Sequence, residues 1–176
     1  DASNFNVVAA FNRDLKEQGY PTTTGTWASG STTMTVASAT NWAVGMKINS
    51  GTVGSTPAGI PAGTIVTAIS GNTITLSQTT TAAGTNVAVG PASSLTLWST
   101  GTSPNRSFVV QWVNYMRYSL SNPTTPTDNY SFQIWINEAG GVAANQTVQV
   151  RYGTCTSTST TAITPMVGLK GSVATD

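Results

Sequence analysis

The chain reads as all-β, an antiparallel jelly-roll-like sandwich carrying a small inserted β-module, and three observations predict this. Clean period-2 alternation of apolar and polar residues runs through its second half. Val, Ile and Thr recur from end to end while helical periodicity is nearly absent. Charged residues make up only 7% of the 176 residues, against roughly 25% in an ordinary soluble domain, and Thr, Ser, Gly and Asn fill the gap. Apolar residues at 39%, with five Trp and five Tyr, separate this composition from that of a disordered chain.

Taken in order, residues 11–18 offer the one candidate helical turn, where Arg13, Asp14, Lys16 and Glu17 gather. Residues 22–92 are rich in Thr, Gly, Ala and Ser and read as short strands between turns. Residues 32–36 alternate, 41–45 turn and 46–49 extend. Residues 58–63 form a turn cluster with two Gly and a Pro. A hairpin follows, with strands 64–69 and 73–76 about Ser70-Gly71-Asn72, and residues 86–89 close the module.

Residues 94–171 are rich in aromatics, Gln and Asn, on longer strands. In 106–118, Phe108, Val110, Trp112, Asn114, Met116 and Tyr118 share one face, and Val109, Gln111, Val113, Tyr115 and Arg117 the other. In 129–138, Tyr130, Phe132, Ile134 and Ile136 oppose Ser131, Gln133, Trp135 and Asn137. In 146–152, Val148, Val150 and Tyr152 oppose Gln149 and Arg151. Such alternation marks antiparallel strands with one face on a core. Trp112 is expected in that core. Trp27, Trp42 and Trp98 are expected to anchor module junctions. Residues 119–128, with two prolines, and 155–164 read as connections, and 163–169 as a last short strand.

The chemistry is sparse. The sequence has no His, which removes the commonest general base and zinc ligand. Glycosidase chemistry needs paired carboxylates. The few acids, Asp14, Glu17, Asp128 and Glu138, read better as partners of arginines, with Asp14, Arg117, Glu138 and Arg151 as a charge cluster on neighbouring strands. No loop carries the dense acidic pattern of a calcium site, and no cofactor is expected. Net charge is +1 with no basic patch, so nucleic acid is not an expected partner. No apolar run approaches a membrane span. Cys155 stands alone and reads as a small buried hydrophobe, an intermolecular bridge being the sharper alternative. Trp135, Gln111, Gln133 and Gln149 form a polar row that suits a subunit interface, a glycan platform built on a flat aromatic, or a plain solvated face. The chain starts at Asp1 without an initiator Met, so a processed or truncated product is expected.

Five segments occur in a recognisable order: NVVAAFNRDL (6–15), TSPNRSFVVQWVNYMRY (102–118), NYSFQIWINE (129–138), VQVRYGT (148–154) and VGLKG (167–171). They resemble a β-sandwich module of large secreted surface proteins of gliding Gram-negative bacteria, which use type IX secretion. Members of that family begin with several further strands, so the resemblance implies an incomplete sandwich with an edge or groove that another chain can fill. The stretches TVASATNWAVGM (35–46) and GIPAGTIVTAISGNTITLS (59–77) resemble small β-modules of bacterial surface and phage virion proteins. The expected organisation is therefore a discontinuous scaffold, 1–21 and 93–176, interrupted by the module 22–92. The expected function is that of a non-enzymatic extracellular structural subunit, partnered by copies of itself in a filament, sheath or layer through sheet-edge contacts. The alternatives are a carbohydrate-binding adhesin module and a phage virion protein.

Overall fold

The computed structural model describes residues 7–10, 14–17, 22–51, 54–118, 128–138, 147–157 and 168–170. These carry β1 Val7–Ala9, β2 Leu15–Lys16, β3 Thr23–Trp27, β4 Thr33–Val36, β5 Lys47–Asn49, β6 Val66–Ser70 and β7 Thr73–Leu76. The chain continues with β8 Gly84–Ala92, β9 Ser94–Thr100, β10 Ser107–Arg117, β11 Asp128–Asn137, β12 Thr147–Ser157 and β13 Gly168–Lys170. The fold is all-β, its antiparallel sheets in a sandwich-like arrangement. The segment expected to turn helically instead contains β2, whose Leu15 and Lys16 pair with Arg117 and Met116 of β10. A charge-rich stretch of that length has too little intrinsic helicity to resist recruitment by a long strand.

Residues 23–92 form a six-stranded sheet in the order β5-β8-β3-β4-β7-β6. A bridge between Lys47 and Ile65 joins its two end strands, and Val66 N donates to Met46 O beside it, so the sheet closes on itself. Alternation along β4 (Met34 and Val36 in, Thr33 and Thr35 out) and β7 (Ile74 and Leu76 in) fills the interior. Each large side chain fully buried there contributes about 1.5–3 kcal/mol. Trp27 and Trp42 belong to this interior, not to a junction as the sequence suggested. Trp27 fits because Gly84 has no Cβ to meet its ring, and its Nε1 donates to Ala82 O at 2.9 Å. Ser70-Gly71-Asn72 makes the expected hairpin, with Gly71 at φ 56°.

The second sheet runs β12-β11-β10-β2, with β9 on the same edge of β10 as β2. β12 ends it. β1 pairs with β13, and Tyr152 Oη donates to Ala10 O at 2.5 Å, which holds the residue after β1 against the sheet. Cys155 is exposed on β12, so it is not the buried hydrophobe that its type suggests. Of the connection expected at 155–164, residues 155–157 are instead the end of β12, and 158–164 lie outside the described residues. Of the connection expected at 119–128, Asp128 instead opens β11, and the rest lies outside the described residues.

Candidate functional site

The two sheets are tied where β8 runs through Ser93 into β9. Ser93 Oγ donates to Asn114 O at 2.5 Å, and Ser94 Oγ donates to Gly45 O. Asn114 Nδ2 reaches Met46 Sδ at 2.8 Å. Asn114 sits at φ 55° within an irregularity in the β10–β11 register. Asn tolerates this left-handed conformation better than most residues. The tie carries the turn before Met46 onto β10. Gly45, at φ 89°, lies so near that a Cβ would stand 3.1 Å from Val113 and 3.5 Å from Gln111 Nε2.

Residues opposite one another in an antiparallel register share a face. On the face under Gly45, one row runs Thr96, Gln111, Gln133, Arg151, and the next runs Trp98, Val109, Trp135, Gln149. Trp135 Nε1 donates to Gln133 Oε1 at 2.6 Å. Gln133 Nε2 donates to Gln111 Oε1 at 2.5 Å, and Gln111 Nε2 reaches Thr96 Oγ1 at 3.5 Å. Arg151 donates to Gln149 Oε1 from Nη2 at 2.8 Å and from Nε at 3.3 Å. Its guanidinium lies 3.9 Å from the centroid of the Trp135 ring. Thus Trp135, Gln111, Gln133 and Gln149 stand together, with Arg151 as a fifth member that the sequence assigned elsewhere. A cavity of ≈ 560 Å³ opens between Ala43–Gly45 and this face, lined among others by Gln111, Gln133, Arg151 and Asn129. The Asn129 Oδ1 is buried without a hydrogen-bond partner.

The charge cluster expected of Asp14, Arg117, Glu138 and Arg151 does not form. Arg117 and Arg151 lie on β10 and β12, which β11 separates. Arg117 pairs with Asp128 at 3.0 Å. Glu138 pairs with Arg106 at 2.5 Å, and that bond holds its carboxyl below the usual carboxylate range. Asp14 is exposed, its carbonyl accepting from Tyr118 N at 2.7 Å.

The opposite face of the sheet is apolar in three rows: Ser99, Phe108, Ile136, Val148; then Leu97, Val110, Ile134, Val150; then Leu95, Trp112, Phe132, Tyr152. Trp112 stacks on Phe132 at 4.8 Å, and Phe132 is buried. Away from that row the face is open: Leu97 is 64% exposed, Ile136 46% and Phe108 41%. The alternation therefore marks an apolar face of which much meets water, and the fully buried residue of this stretch, Val109, lies on the other side.

A family model described as NIDO related matches residues 22–176. The chain belongs to the NIDO-related family. The match spans both the closed sheet and the open one, and NIDO-related domains are typically extracellular. No curated protein and no solved structure matches this NIDO-related chain. Among the described residues, no helix is long and apolar enough to cross a membrane.

Proposed function

We propose that this NIDO-related chain is a non-enzymatic structural module of an extracellular surface assembly, and that its copies meet through the β9–β12 sheet. The observation that carries this reading is the open apolar face of that sheet. Six of its side chains, on four adjacent strands, are exposed: Leu95, Leu97, Phe108, Ile136, Val148 and Tyr152. Contiguous exposure of this kind marks an interaction surface. A second copy is the occupant because the three rows contain no charged residue, so two identical faces meet without like-charge repulsion. The outer edge of β12 has no partner strand among the described residues. It supplies a second contact by strand addition. The face-to-face contact pairs two copies, and the second contact at the β12 edge links pairs into an open polymer where the two operations do not close.

The surface-protein resemblance is favoured over the virion one by strand pairing. Its five segments fall on β1, β10, β11, β12 and β13, where β1 pairs with β13 and β10, β11 and β12 are consecutive in one sheet. The scaffold of 1–21 and 93–176 with the module 22–92 remains the proposed organisation. Electron microscopy of the purified chain at neutral pH tests the proposal: ordered polymers are expected, and discrete monomers at high concentration contradict it.

A second reading, a carbohydrate-binding adhesin module, is favoured by the cavity beside Gln133 and Arg151 and by the Trp135 ring next to it. The two readings use opposite faces of one sheet and do not exclude each other.

A further inference from the structure

Among the described residues, the positive charge on the face under Gly45 has no negative partner. Of the described arginines, Arg106 pairs with Glu138 and Arg117 with Asp128. Among the described residues, the partners of Arg151 are the neutral Gln149 amide and the Trp135 ring. Its guanidinium carbon lies 3.9 Å from the Trp135 ring centroid, within cation–π range. Gln149 takes N–H groups from Nε and Nη2, and the rest of the five-donor fork stays free in the plane. A planar fork held by an indole and an amide is pre-organised for a carboxylate.

The neighbouring groups add a second requirement. An indole N–H only donates, so the Trp135 bond fixes Gln133 with its oxygen toward Trp135 and its NH₂ toward Gln111. Gln111 is oriented in turn toward Thr96. Each donor points away from Trp135, and each amide oxygen keeps a lone pair for a hydroxyl. Farther along β11, Asn129, another lining residue, has a buried Oδ1 that lacks a donor. The volume of ≈ 560 Å³ lies in the range of small-molecule sites, about 300–1,000 Å³. A ligand with one carboxylate and several hydroxyls meets the demands of Arg151 and of the Gln133 and Gln111 amides together.

We infer that this cavity binds an acidic saccharide, a hexuronic acid residue of an anionic glycan, its carboxylate on Arg151 and its hydroxyls on the Gln133 and Gln111 amides. This deepens the adhesin reading and rests on it, and it is independent of self-assembly.

The test titrates the chain with a galacturonic acid trimer, following Trp fluorescence and heat, beside the neutral galactose trimer and a glutamate-rich peptide of equal charge. The expected result is saturable binding of the acidic trimer, weakened by salt, and at least about tenfold tighter than either control, the scale of one charge-assisted contact. Arg151→Gln is expected to remove that difference and Arg151→Lys to keep part of it, with unchanged melting temperatures showing that both variants fold. Equal binding of the two trimers overturns the acidic-ligand inference and leaves the adhesin reading standing. Binding of neither trimer overturns both. Peptide binding equal to that of the acidic trimer, or acidic binding unaffected by Arg151→Gln, shows that the contact is not this site.

Discussion

Trp135 Nε1 donates to Gln133 Oε1 at 2.6 Å, and this one bond sets the direction of the amides behind it. An amide can present either end to a neighbour, whereas an indole cannot accept. The polar face is therefore ordered from its aromatic end. Trp135→Phe keeps the ring and loses the donor, and is expected to cost about 1 kcal/mol. The Gln133 and Gln111 side-chain amide resonances are expected to broaden or shift in NMR spectra, while those of the closed sheet stay in place.

Asp128 joins β10, β11 and β12 at one end of the open sheet. Its side chain is 2% exposed, accepting from Arg117 at 3.0 Å and from Ser157 Oγ at 2.5 Å. Asp128→Asn leaves a charge on Arg117, which is 20% exposed, and is expected to cost about 3 kcal/mol. Adding Arg117→Met is expected to restore part of that loss. Urea unfolding of the single and double variants measures the coupling.

Gly84 is where the closed sheet makes room for Trp27. The ring occupies the place of a side chain at 84, and it is itself held by Ala82 O at 2.9 Å. Gly84→Ala is expected to cost about 2–3 kcal/mol by overpacking, read as a lower melting temperature. Gly30 offers the contrast: a Cβ there would meet nothing within 4 Å, but φ is 75°. The same change at Gly30 is expected to cost only about 1 kcal/mol, from backbone strain alone.

Burial, and then the Glu17 carboxylate at 3.3 Å, push the Tyr115 phenol from 10.0 up to about 12. The folded state thus holds this proton more tightly than the unfolded chain does. The resulting contribution to stability is fully present below pH 10 and is lost as pH rises through about 12. Tyr130 and Tyr152 shift in the same direction. Stability is expected to fall across this alkaline window, and Tyr115→Phe to lessen the slope without abolishing it, as measured by denaturant titration at stepped pH.

The all-β class and the strand positions in the second half were legible because alternation is a local property of the chain. Phe108, Val110 and Trp112, or Ile134 and Ile136, declare a common face by spacing alone. Whether that face is covered depends on which other layer reaches it, and no local pattern encodes that. Asn114 shows a related limit. Its irregularity changes the register midway along β10, so Asn114, Tyr115 and Met116 are all buried, and a strict period of two cannot place three consecutive residues inside. The polar row was legible for the same reason as the apolar one. The position of Arg151 over Trp135 was not, because it depends on the β11–β12 register, which no local pattern on either strand specifies. The Gly45 turn over Gln111 was equally hidden, since residues 45 and 111 meet only through the tie at Ser93 and Ser94.

The central claim is that copies of the chain meet through the open apolar face, and sedimentation of the chain over a hundredfold concentration range tests it most directly. Leu97→Lys and Ile136→Lys serve as the comparison, since both positions are exposed in the single chain and charge there leaves the fold intact. The expected result is a mass that rises with concentration for the unaltered chain and stays at that of one copy for the doubly substituted chain, with equal melting temperatures at high dilution. A single-copy mass for both at every concentration, or the same rise for both, would contradict the claim.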